Sequence, residues 1–198
     1  MLIGLTGGIG SGKSTVAAML VRTHGAVLVD TDLIARQLTQ PRGAAMPAVA
    51  QSFGAQVVAG DGGLDRAAMR ALVFEDASAR LRLESILHPM IGAEAARQAA
   101  AAGQANVVFD VPLLAESDHW RDLVDRVLVV DCPESVQVAR VAERPGWTYD
   151  AASAVISQQA TRAARRRCAD AVIYNDGLSL LQLEREVDTL CAWWFASG

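Results

Sequence analysis

A glycine-rich run near the start of the sequence carries the residues best suited to chemistry. Residues 7–14 follow the pattern G-x-x-x-x-G-K-[ST], with an apolar segment before them and a helical pattern after them. Glycines let successive backbone N–H groups turn towards one anion, and the positive end of a helix dipole adds to their field. A lysine here reaches the β- and γ-phosphates of a nucleotide, and a serine hydroxyl ligates Mg²⁺. The residues expected to form this triphosphate site are Gly8, Gly10, Ser11, Gly12, Lys13, Ser14 and Thr15.

Lys13 is the only lysine in the sequence, since all the other members of the 18 Lys and Arg residues are arginines. Arginine carries a planar, forked guanidinium, whereas lysine is a compact point charge on a thin stem. A position that takes lysine in such a chain indicates a narrow approach to a focused negative charge. The lack of a second lysine argues against a guanine-specific GTPase switch, whose N-K-x-D motif requires one.

Two carboxylates, Asp30 and Asp32, follow the second apolar segment. One of them near a γ-phosphate would deprotonate an acceptor hydroxyl or help to hold Mg²⁺. The alternative is that Asp30 or Asp32 caps a helix that starts at Leu33. Arg36 lies one turn after Asp32 on the same helix face, where it either binds an anionic acceptor or pairs with Asp32.

Three further polar residues stand where apolar or helical segments end or bend. Asp110 ends the third apolar segment, the position of a second carboxylate facing Mg²⁺, with a solvated strand end as the alternative. His88 precedes Pro89 in a helical region, where it contacts substrate or satisfies a local carbonyl. Asn175 follows the fifth apolar segment, where it hydrogen-bonds a nucleotide base or forms part of a plain turn.

Four arginines form two cationic pairs at helical spacing. Arg140 and Arg144 are four residues apart, and Arg162 and Arg165 are three apart, so each pair shares a helix face. Two such faces around the loop P-G-W-T-Y-D suit a clamp that closes over phosphates and neutralises charge in the transition state. A solvated basic helix is the alternative.

Five short apolar segments divide the chain, and they set the positions of these residues. They cover residues 1–6, 26–30, 106–110, 126–131 and 170–174. Each is apolar throughout rather than alternating, as is typical of parallel strands covered on both faces. Helical patterns lie between them and over 178–195. This alternation predicts a three-layer α/β/α fold around a five-stranded parallel sheet.

The connection from 31 to 105 is much longer than the roughly dozen residues that a parallel crossover needs. Its Ala-, Leu- and Arg-rich pattern predicts a helical acceptor-binding lobe, interrupted at 59–63. A second insertion, over 140–168, predicts a helical lid. The nucleotide-binding core then comprises 1–30, 106–139 and 169–198. Ligands bind at the C-terminal edge of such sheets, which is where the candidate residues meet.

Composition narrows the class of protein. The 198 residues are 52% hydrophobic and 20% charged, with a net charge of −4, which is typical of a well-packed domain and argues against nucleic acid as the main partner. No apolar run is long enough to span a membrane, and the start of the chain resembles no signal peptide. The cysteines, at 132, 168 and 191, lack paired spacing, which predicts that they are reduced thiols. We expect a cytoplasmic monomer with no membrane or nucleic-acid partner.

Taken together, these segments resemble one family, the dephospho-coenzyme A kinases. The resemblance spans residues 2–177 and depends on the combination of segments, because the phosphate loop alone occurs in many families. The segments are G-L-T-G-G-I-G-S-G-K-S (4–14), D-T-D-L-I-A-R (30–36), L-H-P (87–89), V-P-L-L-A-E (111–116), Q…A-R…R (137–144), Q-Q-A-T-R-A-A-R (158–165) and A-D-A-V-I-Y-N-D-G (169–177).

The resemblance implies a P-loop kinase fold and a reaction. The family transfers the γ-phosphoryl group of ATP to the ribose 3′-hydroxyl of dephospho-CoA, the last step of coenzyme A synthesis. It implies Lys13, Asp32 and Arg140 as catalytic residues, with Asp32 as the base. One departure from the family pattern is Pro145 directly after Arg144, which alters the turn of the lid.

The resemblance also distributes the binding roles. Arg140 and Arg144 join the phosphate loop in binding ATP. The position of Asp110 is not fixed in the family, so its role as an Mg²⁺ ligand with Ser14, like the role of Asn175 in binding ATP, is expected from its place in the sequence. The implied dephospho-CoA-binding residues are Asp32, Arg36, His88, Leu113 and Arg165.

Two other functions stay open at this point. A nucleoside monophosphate kinase would use the same sheet with a different acceptor. A regulatory module would bind nucleotide with no acceptor, but it would need neither the D-x-D segment nor the paired arginines.

Overall fold

A computed structural model describes residues 1–116 and 118–195, in which helices surround a five-stranded sheet. The strands are β1 (Leu2–Gly7), β2 (Val27–Asp30), β3 (Val107–Asp110), β4 (Arg126–Asp131) and β5 (Ala171–Tyr174). Their order across the sheet is β2-β3-β1-β4-β5. β1 pairs in parallel with β3 and β4, and β4 pairs in parallel with β5. The parallel α/β fold predicted from the apolar segments is confirmed, with slightly shifted strand bounds.

Ten α-helices lie in the described residues. They are α1 (Lys13–His24), α2 (Thr31–Leu38), α3 (Met46–Phe53), α4 (Arg66–Glu75), α5 (Ala77–Ala101), α6 (Asp118–Leu123), α7 (Glu134–Ala142), α8 (Tyr149–Ser157), α9 (Arg162–Arg167) and α10 (Leu180–Phe195). Short 3₁₀ turns cover Ala55–Val57 and Leu114–Glu116. Within the described residues, no helix has both the length and the apolar composition needed to cross a bilayer.

The chain forms two compact units, the first made of residues 1–29 and 102–198. Its core joins the central strands to α1 and α10. Leu5 of β1 and Leu128 of β4 are fully buried, and they belong to one apolar cluster with Leu20 of α1 and Val187 of α10. This packing fixes α1, and so the loop that precedes it, against the middle of the sheet.

The second unit comprises residues 30–101 and is helical. In this unit α2 and α4 both pack against the long α5. Val49 and Phe53 of α3 pack with Met69 of α4 in its buried core.

The second unit begins with a capped helix. α2 starts at Thr31 rather than at the predicted Leu33, because Asp30 supplies the cap directly before it. The Asp30 carboxylate accepts a hydrogen bond from the Leu33 N–H at 2.9 Å.

Candidate active site

The glycine-rich run forms a turn between β1 and α1, as its pattern predicts. Gly10 and Gly12 have φ values of 79° and 96°, a left-handed conformation that favours glycine. The Ser11 N–H donates to the Gly8 carbonyl at 3.0 Å, which closes the turn. Gly12 is the N-cap of α1, so Lys13 and Ser14 occupy its first turn. A loop of this shape at a helix N-terminus is a site for a phosphate.

Two open cavities lie over this loop. The first, of about 310 Å³, is lined by Gly7, Gly8, Ile9, Gly10, Gly12, Lys13, Ser14, Thr15, Pro112, Arg144 and Gln159. The second, of about 290 Å³, is lined by Gly10, Gly12, Thr15, Arg140, Arg144, Asn175, Leu178, Leu180 and Leu183. The two share Gly10, Gly12, Thr15 and Arg144, so they form one trough with a polar end and a leucine-lined end. Such a trough suits a nucleotide with phosphates at one end and a base at the other.

Lys13 forms an ion pair with Asp110, the last residue of β3. Both side chains are largely buried, with 15% and 12% of their surfaces exposed. The side chain of Ser14 is exposed beside them. A carboxylate and a hydroxyl are oxygen ligands of the kind that Mg²⁺ prefers, and Mg²⁺ commonly takes one or two protein ligands together with substrate phosphates. The residues present therefore fit a magnesium ion that is bound jointly with a nucleotide.

Arg140 and Arg144 do not share a helix face, although their spacing predicts it, because α7 ends at Ala142 and Arg144 lies beyond its C-cap. Arg140 is half-buried, and its Nη1 lies 3.3 Å from the Gly10 carbonyl and 3.5 Å from the Ser11 carbonyl. Arg144 is exposed and lines both cavities. In this structure Arg140 contacts the loop backbone and lines the second cavity, whereas Arg144 is exposed to both cavities.

Asn175 directly follows β5 and is only 5% exposed. Its Nδ2 donates to the Ser11 carbonyl at 2.8 Å. A Cβ added at Gly12 would collide with that same amide nitrogen. This bond fixes the loop backbone, and Asn175 also lines the second cavity, so its contact with a nucleotide base stays a prediction.

The second arginine pair contacts the protein itself rather than forming an open clamp. Arg162 makes two hydrogen bonds with Asp131, at 2.9 and 2.7 Å, and this carboxylate is 2% exposed. Hydrogen bonding to Asp131 raises the pKa of the Arg162 guanidinium. Arg165 is 4% exposed, and its Nη1 donates to the Ala160 carbonyl at 2.6 Å. Helical spacing correctly places the two on one helix, but it does not show that this face is turned inwards.

Two glutamines that no spacing rule selects also reach the loop. Gln137 is fully buried, and its Nε2 donates to the Cys132 carbonyl at 3.1 Å. A Cβ added at Gly8 would collide with the Gln137 side-chain oxygen and would stand 2.8 Å from Arg165 Nη2. Gln159 accepts a hydrogen bond from the Ile9 N–H at 3.0 Å. The only signal for them in the sequence is that both lie in segments that carry the family resemblance.

Three of the acceptor-site candidates belong to the second unit. Asp32 is exposed in the first turn of α2, and Arg36 is exposed in its last turn. His88 is exposed on α5. Asp30 is the residue that caps α2, so the capping alternative applies to Asp30 and not to Asp32.

Leu113 belongs to the first unit and follows Pro112, which lines the polar end of the trough. Leu113 is 51% exposed. An exposed leucine at this position is available to contact a ligand.

Comparison with known proteins identifies the family of this chain. The dephospho-CoA kinase family model matches residues 1–180. The chain belongs to the dephospho-CoA kinase family. A dephospho-CoA kinase of Burkholderia pseudomallei is 56% identical over 188 residues, covering 95% of this chain and 92% of the relative. One from Bordetella pertussis is 55% identical over 175 residues, covering 88% and 81%.

Solved structures agree with this fold. A crystal structure from Thermus thermophilus has a TM-score of 0.84 at 33% identity, covering 98% of this chain and 97% of that one. A dephospho-CoA kinase from Campylobacter jejuni has a TM-score of 0.72 at 21% identity, covering 100% and 98%. A shikimate kinase from Acinetobacter baumannii, in complex with shikimate, has a TM-score of 0.54 at 14% identity, covering 99% and 93%. The last two share the fold, and the P-loop kinase fold expected from the resemblance is confirmed.

Proposed function

We propose that this chain transfers the γ-phosphoryl group of ATP to the ribose 3′-hydroxyl of dephospho-CoA, which yields coenzyme A. The observation that carries the proposal is a phosphate loop with its lysine at the polar end of a nucleotide-sized trough. Membership of the dephospho-CoA kinase family supplies the acceptor. The alternative acceptors, nucleoside monophosphates, have no comparable support.

At the nucleotide end, the loop N–H groups and Lys13 bind the phosphates of ATP. Lys13 already lies beside a carboxylate in the polar end of the trough, so its charge is held in place before the nucleotide arrives. Fixed donors of this kind stabilise the charge that develops on the transferred group, because they need little reorganisation during the reaction. Arg144 adds an exposed cation to the same end, and Leu178 and Leu180 offer an apolar wall for the base.

Ser14 and Asp110 are the residues that would hold Mg²⁺. When bound, the ion neutralises phosphate charge and orients the terminal phosphoryl group. The chain itself supplies the hydroxyl of Ser14 at the start of α1 and the carboxylate of Asp110 at the end of β3. Lys13 forms an ion pair with that carboxylate.

At the acceptor end, Asp32 is the proposed base. Its side chain is exposed, and Asp30 supplies the helix cap, so nothing in the local structure commits Asp32 to a structural role. We assign acceptor binding to Arg36 and His88 of the helical unit and to Leu113 of the first unit. Arg165, which is buried and donates to the Ala160 carbonyl, contributes by supporting the protein around the loop rather than by direct contact. In the same proposal residues 140–168 act as the lid, and the enzyme is a cytoplasmic monomer.

The direct test is an acceptor screen. The purified chain is supplied with γ-labelled ATP, Mg²⁺ and one acceptor at a time: dephospho-CoA, AMP, CMP or shikimate. We expect label to appear on the ribose 3′-oxygen of dephospho-CoA, with a kcat/KM far above that for the other three. Faster labelling of AMP or CMP would replace the proposal with a nucleoside monophosphate kinase. No labelling of any acceptor, with ATP still bound, would favour a regulatory module.

Asp32→Asn tests the base. Asparagine cannot accept the proton, so kcat should fall by about 10²- to 10⁴-fold, while the affinities for ATP and dephospho-CoA persist. Asp30→Asn is the matched control, because asparagine caps helices as well as aspartate does and both activity and melting temperature should stay near those of the wild type. The measurements are kcat, the two dissociation constants and the melting temperature. A near-normal kcat for Asp32→Asn would move the base to another residue, with Asp110 the next candidate.

A further inference from the structure

The side-chain amide of Gln159 has a defined orientation at the polar end of the trough. The Ile9 N–H donates to its Oε1 at 3.0 Å. A backbone N–H can only donate, so the atom of the amide that faces Ile9 must be the carbonyl oxygen. The NH₂ group, which carries two donors, therefore points away from Ile9. Gln159 lines the first cavity.

The two ends of the trough are lined by different kinds of residue. Leu178, Leu180 and Leu183 line the second cavity but not the first, and they suit the apolar faces of a base. Gln159, Lys13 and Ser14 line the first cavity but not the second. A nucleotide that lays its base against the leucines extends its terminal phosphate towards the end that holds Gln159.

We propose that Gln159 donates an amide N–H to the terminal phosphoryl group of the bound triphosphate. The inference rests on the proposed function only in requiring a nucleoside triphosphate in the loop, whatever the acceptor. Gln159 contributes a neutral donor next to the cations Lys13 and Arg144. The Ile9 N–H holds the amide in the donating orientation before the nucleotide binds, so that little reorganisation is needed.

This geometry makes Gln159 a discriminator between triphosphate and diphosphate. A diphosphate ends one phosphoryl group short and leaves the amide without its partner. Gln159 thus differs from the loop N–H groups, which contact the phosphates that ATP and ADP share.

The test is Gln159→Glu, which is close to isosteric. The carboxylate still accepts from the Ile9 N–H, but the NH₂ donor becomes a negatively charged oxygen that repels phosphate. We expect the dissociation constant of a non-hydrolysable ATP analogue to rise by about 10- to 100-fold, the range for losing a hydrogen bond to a charged group. The constant for ADP should rise by less than about 5-fold by the same reasoning. Both are measured by calorimetry without an acceptor, so the result is separate from the acceptor screen.

Gln158→Glu is the matched control, because it introduces the same charge at the preceding, exposed position. It should leave both dissociation constants near those of the wild type. Gln159→Met, which adds no charge, is a second variant to use if the glutamate variant does not fold. It should also weaken binding of the ATP analogue more than binding of ADP. Equal losses for the two nucleotides, or an unchanged affinity for the ATP analogue, would overturn the proposal.

Discussion

The two sides of the phosphate loop use similar side chains for different purposes. The trough side presents Lys13, Ser14 and Arg144, which are at least partly exposed. The buried side is held by Gln137, Arg165 and Asn175, each 5% exposed or less. The Asn175 amide is bonded to the loop carbonyl of Ser11, and the side chains of Gln137 and Arg165 approach Gly8 closely. In the proposed function one side binds substrate, and the other fixes the loop in the shape that binding requires.

Arginine illustrates the difference best. Arg144 and Arg165 both lie in the segment predicted to be a lid. Arg144 is exposed at the trough, whereas Arg165 is buried with a carbonyl partner. The charge of Arg144 is available to a phosphate, and that of Arg165 is committed to the protein. Residue type alone therefore does not assign a role, and burial with hydrogen bonding does.

Arg165→Met should have the largest effect on stability. It removes a buried cation and leaves the Ala160 carbonyl without its bond, which costs about 2–3 kcal/mol. For a chain of this length the melting temperature should fall by about 4–12 °C, and activity should fall with it because the loop loses support. Arg166→Met, one residue along α9 and exposed, is the control and should change neither quantity measurably. Thermal unfolding of the two variants side by side decides whether the buried side holds the loop.

Arg144→Ala should have the smallest effect on stability and still reduce catalysis. The side chain is exposed, so the melting temperature should stay within about 1 °C of the wild type. Loss of a cation at the phosphates should lower kcat/KM by about 10-fold or more. The measurement is steady-state kinetics with ATP varied, together with thermal unfolding. A stability loss as large as that of Arg165→Met would remove the distinction between the two sides.

The sequence predicted the parallel sheet and the phosphate loop because both depend on local patterns. Uniformly apolar segments mark buried parallel strands, and the glycine spacing marks a turn that only glycine adopts readily. The ion pair of Arg162 with Asp131 and the contact of Gln159 with Ile9 were not predicted, since each joins residues far apart in sequence. The i, i+3 spacing of Arg162 and Arg165 defines a helix face but contains nothing about what that face packs against.

The start of α2 is another feature that the sequence alone predicted only in part. A cap at either Asp30 or Asp32 was consistent with the sequence, and only the observed bond from the Leu33 N–H selects Asp30. That selection leaves Asp32 without a capping role. The sequence alone was consistent with either aspartate as the cap, and the hydrogen bond from the Leu33 N–H shows that the cap is Asp30.

The most direct test of phosphate binding on the trough side of the loop concerns Lys13, the single lysine of the chain. Lys13→Arg keeps the positive charge and can keep the pair with Asp110, so the melting temperature should change little. The forked guanidinium cannot reproduce a point charge at the terminal phosphates, so kcat/KM should fall by about 10²-fold or more, nearly as far as for Lys13→Ala. The measurement is kcat/KM for ATP, at saturating dephospho-CoA, in the wild type and both variants. A Lys13→Arg enzyme that keeps most of its activity would contradict the account, because any cation would then serve on the trough side of the loop.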